Sequence, residues 1–192
     1  YCPAEYSGAL TIPTNVRKIG DAAFCRCGNL TSITIPNSVR EIGEGAFYLC
    51  GKVTSFNIPD GVKEIKSGTF SNCYALESVI LPSSVTKLGD GVFEKCYKLR
   101  DMVLPNGVAE IGRESFRFCP IDTLRLPDSL RVVGDAVFCF SRIKHFEFPE
   151  GLTEIGSGAF SRCDSLRSVR LPNSLRKIGR AAFARCGHLE SV

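Results

Sequence analysis

Apolar and polar positions follow one fixed order that returns every 23 residues, with two returns after 22. One unit reads Leu30-x-x-Ile33-x-Ile35-Pro36-x-x-Val39-x-x-Ile42-Gly43-x-x-Ala46-Phe47-x-x-Cys50. Prolines recur at Pro13, Pro36, Pro59, Pro82, Pro105, Pro127, Pro149 and Pro172. Phenylalanines keep the same phase at Phe24, Phe47, Phe70, Phe93, Phe116, Phe138, Phe160 and Phe183. Two residue types in phase along the whole chain mark internal repetition, and repeats of this length stack as a solenoid. The Ile33/Ile35 alternation predicts a short strand with one buried face, ended by Pro36, which has no amide to donate. Stacked at ~4.8 Å, such strands form a parallel sheet whose neighbours are equivalent positions of adjacent coils.

The remainder of the unit predicts a turn. Gly43 is expected to need positive φ, so Lys66, the one unit without this glycine, should be strained. The residues that follow, Asp21, Glu44, Ser67, Asp90, Arg113, Asp135, Ser157 and Arg180, mostly suit the start of a short helical turn that carries Phe inward. Cys119 to Ile121 and Ser141 to Ile143 each lack one residue present between Cys96 and Leu99. Regular coil geometry should break there.

These residues resemble the leucine-rich repeat proteins of the 23-residue, BspA-like class, L-x-x-I-x-L-P-x-x-V-x-x-I-G-x-x-A-F-x-x-C, over roughly residues 8–192. The resemblance implies a repeat solenoid, a right-handed curved coil with a parallel β sheet on the concave face and short helical turns or loops on the convex face. It implies binding of other molecules, no enzyme activity, and a cell-surface or secreted setting, with an intracellular assembly subunit as the alternative. Residues 1–9 read as an N-terminal segment or partial cap and 10–192 as about eight repeats, the last incomplete. Leu189-Glu190-Ser191-Val192 begin another strand, so further repeats or a partner subunit are expected beyond it.

Seven of the ten cysteines, Cys27, Cys50, Cys73, Cys96, Cys119, Cys163 and Cys186, hold one repeat position, with Ser141 in the remaining slot. They read as a ladder of free buried thiols, since a thiol packs as a small hydrophobe. Cys2, Cys25 and Cys139 lie outside it. Cys2 could reach Cys25 if the N-terminal segment folds back, or all three stay unpaired. Cys25-Arg26-Cys27 is the only close pair, which is poor spacing for zinc, and no metal or cofactor is expected. Any hydrolytic triad would have to use His145 or His188, and neither sits in a catalytic motif. The fragments Gly43-Glu44-Gly45, Gly89-Asp90-Gly91 and Gly156-Ser157-Gly158 lack the third glycine of a phosphate loop. Asn29-Leu30-Thr31 is a glycosylation triplet, meaningful only in a secreted eukaryotic chain.

Composition adds a charge asymmetry. Of the net +4, residues 1–96 contribute none (9 basic, 9 acidic) and residues 97–192 all of it (15 basic, 11 acidic). Arg162, Arg167, Arg176, Lys177, Arg180 and Arg185 read as a basic C-terminal edge for an acidic protein, glycan or anionic surface, opposed only by Asp164. No aromatic interleaves these cations, which disfavours nucleic acid, and no apolar run of membrane-spanning length exists. The outward strand positions include Ile80, Asp101, Val103, Arg125, His145, Glu147 and Arg170, with Ile80 and Val103 adjacent in the stack. Such a wide surface suits a protein or glycan partner better than a small molecule. The readings are therefore an interaction module, or a spacer with no ligand on that face.

Overall fold

The computed structural model describes residues 7–192. Eight strands, one per coil, occupy the predicted segments: β1 (Gly8–Thr11), β3 (Leu30–Thr34), β5 (Ser55–Asn57), β7 (Ser78–Ile80), β9 (Asp101–Val103), β11 (Thr123–Arg125), β13 (His145–Glu147) and β15 (Ser168–Arg170). Eight two-residue strands follow each prolyl turn: β2 (Lys18–Ile19), β4 (Glu41–Ile42), β6 (Glu64–Ile65), β8 (Lys87–Leu88), β10 (Glu110–Ile111), β12 (Val132–Val133), β14 (Glu154–Ile155) and β16 (Lys177–Ile178). All pairings are parallel, so the chain is a parallel β-solenoid in which equivalent residues stack.

The core is a set of columns. Successive Phe rings from Phe24 to Phe183 stack with centroids 5.0–5.8 Å apart, and the six from Phe47 to Phe160 are fully buried. Leu, Val and Ile columns surround them.

The turn around Phe is not helical. Two residues per coil have left-handed φ: Ala22, Gly45, Gly68, Gly91, Glu114, Ala136, Gly158 and Ala181, then Arg26, Leu49, Asn72, Lys95, Phe118, Phe140, Arg162 and Arg185. This makes backbone donors alternate. Gly45, Phe47 and Leu49 donate to Ser67, Thr69 and Ser71 of the next coil, whereas Ala46, Tyr48 and Cys50 donate within their own. A helix would use every amide inside one coil and leave the coils unlinked. For the same reason the residue after Gly caps no helix. Asp21, Asp90 and Asp135 instead accept the amides of Glu44, Arg113 and Ser157 one coil on, at 2.6–2.8 Å.

The glycine after Ile42 serves a different purpose from the one expected. Gly43 and its equivalents have no positive φ. They are needed for close approach: a Cβ on Gly89 would lie 2.7 Å from the Ser67 amide nitrogen, and one on Gly112 2.5 Å from the Gly89 carbonyl carbon. Lys66 likewise has no positive φ. Its effect appears in the ladder, because β2–β4 form one sheet and β6 to β16 another, and the break falls at the coil that carries a side chain where its neighbours have none.

The long strands reveal a two-coil period. They bond as β1–β3, β5–β7, β9–β11 and β13–β15, with seams between pairs. Two side-chain alternations coincide with it. The inward strand residue is bulky in the first strand of each later pair (Phe56, Met102, Phe146) and smaller in the second (Val79, Leu124, Val169). Phe56 wedges between Phe47 and Phe70 at 4.8 and 4.6 Å, and Phe146 between Phe138 and Phe160 at 5.1 Å from each. After the proline, Ser38, Ser84, Ser129 and Ser174 alternate with Gly61, Gly107 and Gly151. Each serine donates to a Val or Leu carbonyl of the preceding coil at 2.6–2.7 Å, always inside a strand pair. The widest seam is β11|β13, where no Cα approaches within 8 Å although Phe138 and Phe160 remain 5.0 Å apart. These strands follow the two shortened loops, where a departure from regularity was expected.

Candidate functional site

Strand pleating sends alternate side chains outward, so the sequence-selected face is presented to solvent: Ile80, Asp101, Val103, Arg125, His145, Glu147 and Arg170 are all exposed. Within the β13–β15 pair, Arg170 forms an ion pair with Glu147 at 2.8 Å, and His145 Nδ1 lies 2.8 Å from Ser168 Oγ. The imidazole meets no carboxylate among the described residues. A depression of about 600 Å³ follows these strands to Ser191 and Val192.

Ile80 and Val103 differ from the rest of the face. Each is 64% exposed, and they flank the seam between β7 and β9, which share no ladder. A depression of about 340 Å³ opens there, lined by Ser78, Val79, Ile80, Leu81, Asp101, Met102, Val103 and Pro105.

Three of the basic residues near the C-terminal end have partners in the structure. Arg167 pairs with Glu190 at 3.1 Å and Lys177 with Glu154 at 2.5 Å, so Asp164 is not the only opposing acid. Arg162 lies over the Phe140 ring at 5.3 Å, on the column that continues to Arg185. Arg176 and Arg180 are exposed on other parts of the coil. Phe140 itself stacks on Phe118 at 4.6 Å, an aromatic pair on the turn side that the repeat pattern did not single out.

The cysteine ladder has a hydrogen-bonding role. Cys50, Cys73, Cys96, Cys119, Cys163 and Cys186 donate to the Phe carbonyl of the preceding coil at 2.9–3.2 Å. Ser141 Oγ lies 3.3 Å from Cys163 Sγ. Burial pushes Cys50 up to about 12 and raises Cys73 and Cys96 further. Half-buried Cys186 moves the other way, to about 7, chiefly through its interaction with the adjacent Cys163 thiol, and the same interaction, with burial, pushes Cys163 up. Cys27 corrects the reading of this position as free thiols throughout, since it is disulfide-bonded. Cys25 is a free, half-buried thiol, and Cys2 lies outside the described residues, so the suggested Cys2–Cys25 bridge is not formed. Among the described residues no three His, Cys, Asp or Glu side chains are placed to hold a metal ion. Among the described residues no helix is long and apolar enough to cross a membrane.

The family model for the BspA type leucine-rich repeat region, in six copies, matches residues 6–120 and 88–192. The chain belongs to this family. A leucine-rich repeat protein from Bacteroides ovatus is 32% identical with a TM-score of 0.55, over 94% of this chain and 62% of that one. The BspA-type chain thus spans less than two thirds of that relative. The leucine-rich repeat protein of T. pallidum is 30% identical with a TM-score of 0.69, over 94% of this chain and 77% of that one. No curated protein matches.

The one-coil reading missed the seams. Their signal was present in the sequence as the alternations Phe56/Val79/Met102/Leu124/Phe146/Val169 and Gly61/Ser84/Gly107/Ser129/Gly151/Ser174.

Proposed function

We propose that this chain is a non-catalytic interaction module that binds a macromolecular partner, protein or glycan, through the strand face. The observation that carries the reading is the outward row of chemically varied, exposed side chains on a backbone whose inward half is apolar throughout, varying only in size. Apolar columns suffice for a stack, so the chemical variation in the outward row is available for recognition. The basic residues near the C-terminal end add attraction for an acidic partner, with Arg176, Arg180 and Arg185 exposed. Family membership supports a surface or secreted adhesive role.

The test uses a glycan array and a displayed peptide library, probed with the wild-type protein and with the combined variant Asp101→Ala, Arg125→Ala, His145→Ala, Arg170→Ala. Specific binders that the folded variant loses support the module. Binders retained unchanged, or none at all, favour a rigid spacer, for which the continuous Phe column is the supporting feature.

A further inference from the structure

We infer that the seam between β7 and β9 is a docking subsite for an extended segment of a partner protein that presents an aliphatic side chain and, two residues later, a carboxylate. This deepens the strand-face reading and rests on it. The seam is a place where the ladder is interrupted, since β7 bonds only to β5 and β9 only to β11. Met102, the buried inward residue of β9, occupies the position at which Phe56 and Phe146 wedge the other seams. The opened surface is apolar at its rim, with Ile80 and Val103 each 64% exposed, and holds a depression of about 340 Å³, enough for one aliphatic side chain.

Charge defines the second half of the motif. Arg125 continues the row Ile80–Val103 on the next coil, is exposed, and forms no ion pair among the described residues. The strand-side Arg100 and Arg170, by contrast, are engaged with Asp122 and Glu147. Asp101 stands two residues from Val103 at the other end of β9, so a carboxylate travelling along the row meets Arg125 and leaves Asp101 behind. The spacing agrees. From Val103 to Arg125 is one bonded step of ~4.8 Å, and the half-width of the parted seam adds at least about 2.4 Å, so the seam centre lies about 7 Å or slightly more from Arg125, within reach of side chains i and i+2 of an extended strand, which are about 6.5–7 Å apart on one face.

The test titrates the 192-residue protein with a short synthetic peptide carrying one Leu and, two residues later, one Glu in a Gly/Ser/Thr background. Methyl resonances of Ile80, Met102 and Val103 are followed by NMR. The expected result is saturable shifts confined to these methyls. Replacing the peptide Leu with Ala should weaken binding about ten- to a hundredfold, as for burial of one aliphatic side chain. The protein variant Arg125→Ala should weaken it about two- to fivefold, in a salt-dependent way. The double variant Ile80→Thr, Val103→Thr alters only exposed positions and keeps the Met102 reporter; the peptide-induced Met102 methyl shift should be lost while the rest of the spectrum shows the fold intact.

Shifts elsewhere, equal affinity for the Ala peptide, or methyl shifts that depend on protein concentration without peptide would overturn the subsite. The last outcome would identify a second copy as the occupant. If the peptide fails while array binders are still lost by the fourfold variant, the subsite falls and the broader strand-face function stands.

Discussion

Gly112→Ala should be among the most damaging small substitutions in the chain. The new Cβ would lie 2.5 Å from the Gly89 carbonyl carbon and oxygen and 2.8 Å from the Asp90 nitrogen, all backbone atoms that cannot rotate away. Comfortable contact needs about 3.5 Å, so the coils must part by roughly 1 Å. Parting stretches three links between them: Gly112 N to Leu88 O at 2.9 Å, Ala109 N to Thr86 O at 3.2 Å, and Arg113 N to Asp90 Oδ1 at 2.8 Å. At about 1 kcal/mol each these amount to about 3 kcal/mol, and residual overpacking brings the cost to about 3–5 kcal/mol. Gly20→Ala is the matched control. It occupies the same repeat position, has no positive φ and has no described atom within 4 Å, so its effect should stay within about 1 kcal/mol. Urea unfolding measures the difference, and hydrogen exchange locates it at the amides of residues 109–113. Equal losses for the two substitutions would refute the close-approach role of this glycine, and so the explanation of the ladder break at Lys66.

Phe93→Ala should cost about 3–5 kcal/mol, because the ring is fully buried and stacked between Phe70 and Phe116 at 5.6 and 5.3 Å; an unchanged melting curve would contradict that. The raised thiols of Cys50, Cys73 and Cys96 keep their protons in the folded state, so their stabilising contribution is complete below the unfolded value near 9 and falls as pH rises above it. Stability measured at pH 8 and pH 10 should therefore drop, and Cys96→Ser should remove part of the drop; a pH-independent midpoint would refute the burial argument. Cys186 should be alkylated in the native protein at a rate that climbs through pH 7, while Cys73 and Cys96 react only after unfolding. Cys27 should be labelled only after reduction, which peptide mass mapping reads directly; a label without reductant would refute its disulfide.

The sequence by itself determined the solenoid. A residue buried in one coil faces its own equivalents above and below, so Pro36, Phe47 and Cys50 and their repeats must recur in phase, and phase is visible without coordinates. It also determined which residues face outward on the strands, because pleating alternates sides, and Ile80, Val103 and Arg125 were found on that rule. What only the tertiary structure decided concerns distances between coils. Glycine at position 43 is compatible with positive φ or with close approach, and only the neighbouring coil at Gly89 and Gly112 distinguishes them. The turn could have been helical until the coil-to-coil bonds of Gly45, Phe47 and Leu49 were seen to need left-handed φ at Gly45 and Leu49. Charge balance is likewise spatial, since Arg167 meets Glu190 and Lys177 meets Glu154, each 23 residues away, where adjacency in the chain shows only Asp164. The seams depend on both levels. Bulk at Phe56, Met102 and Phe146 is written in the chain, but it opens a strand ladder only because the Phe column holds the opposite side of each coil at 5.0–5.8 Å, leaving the strand side as the one that can part.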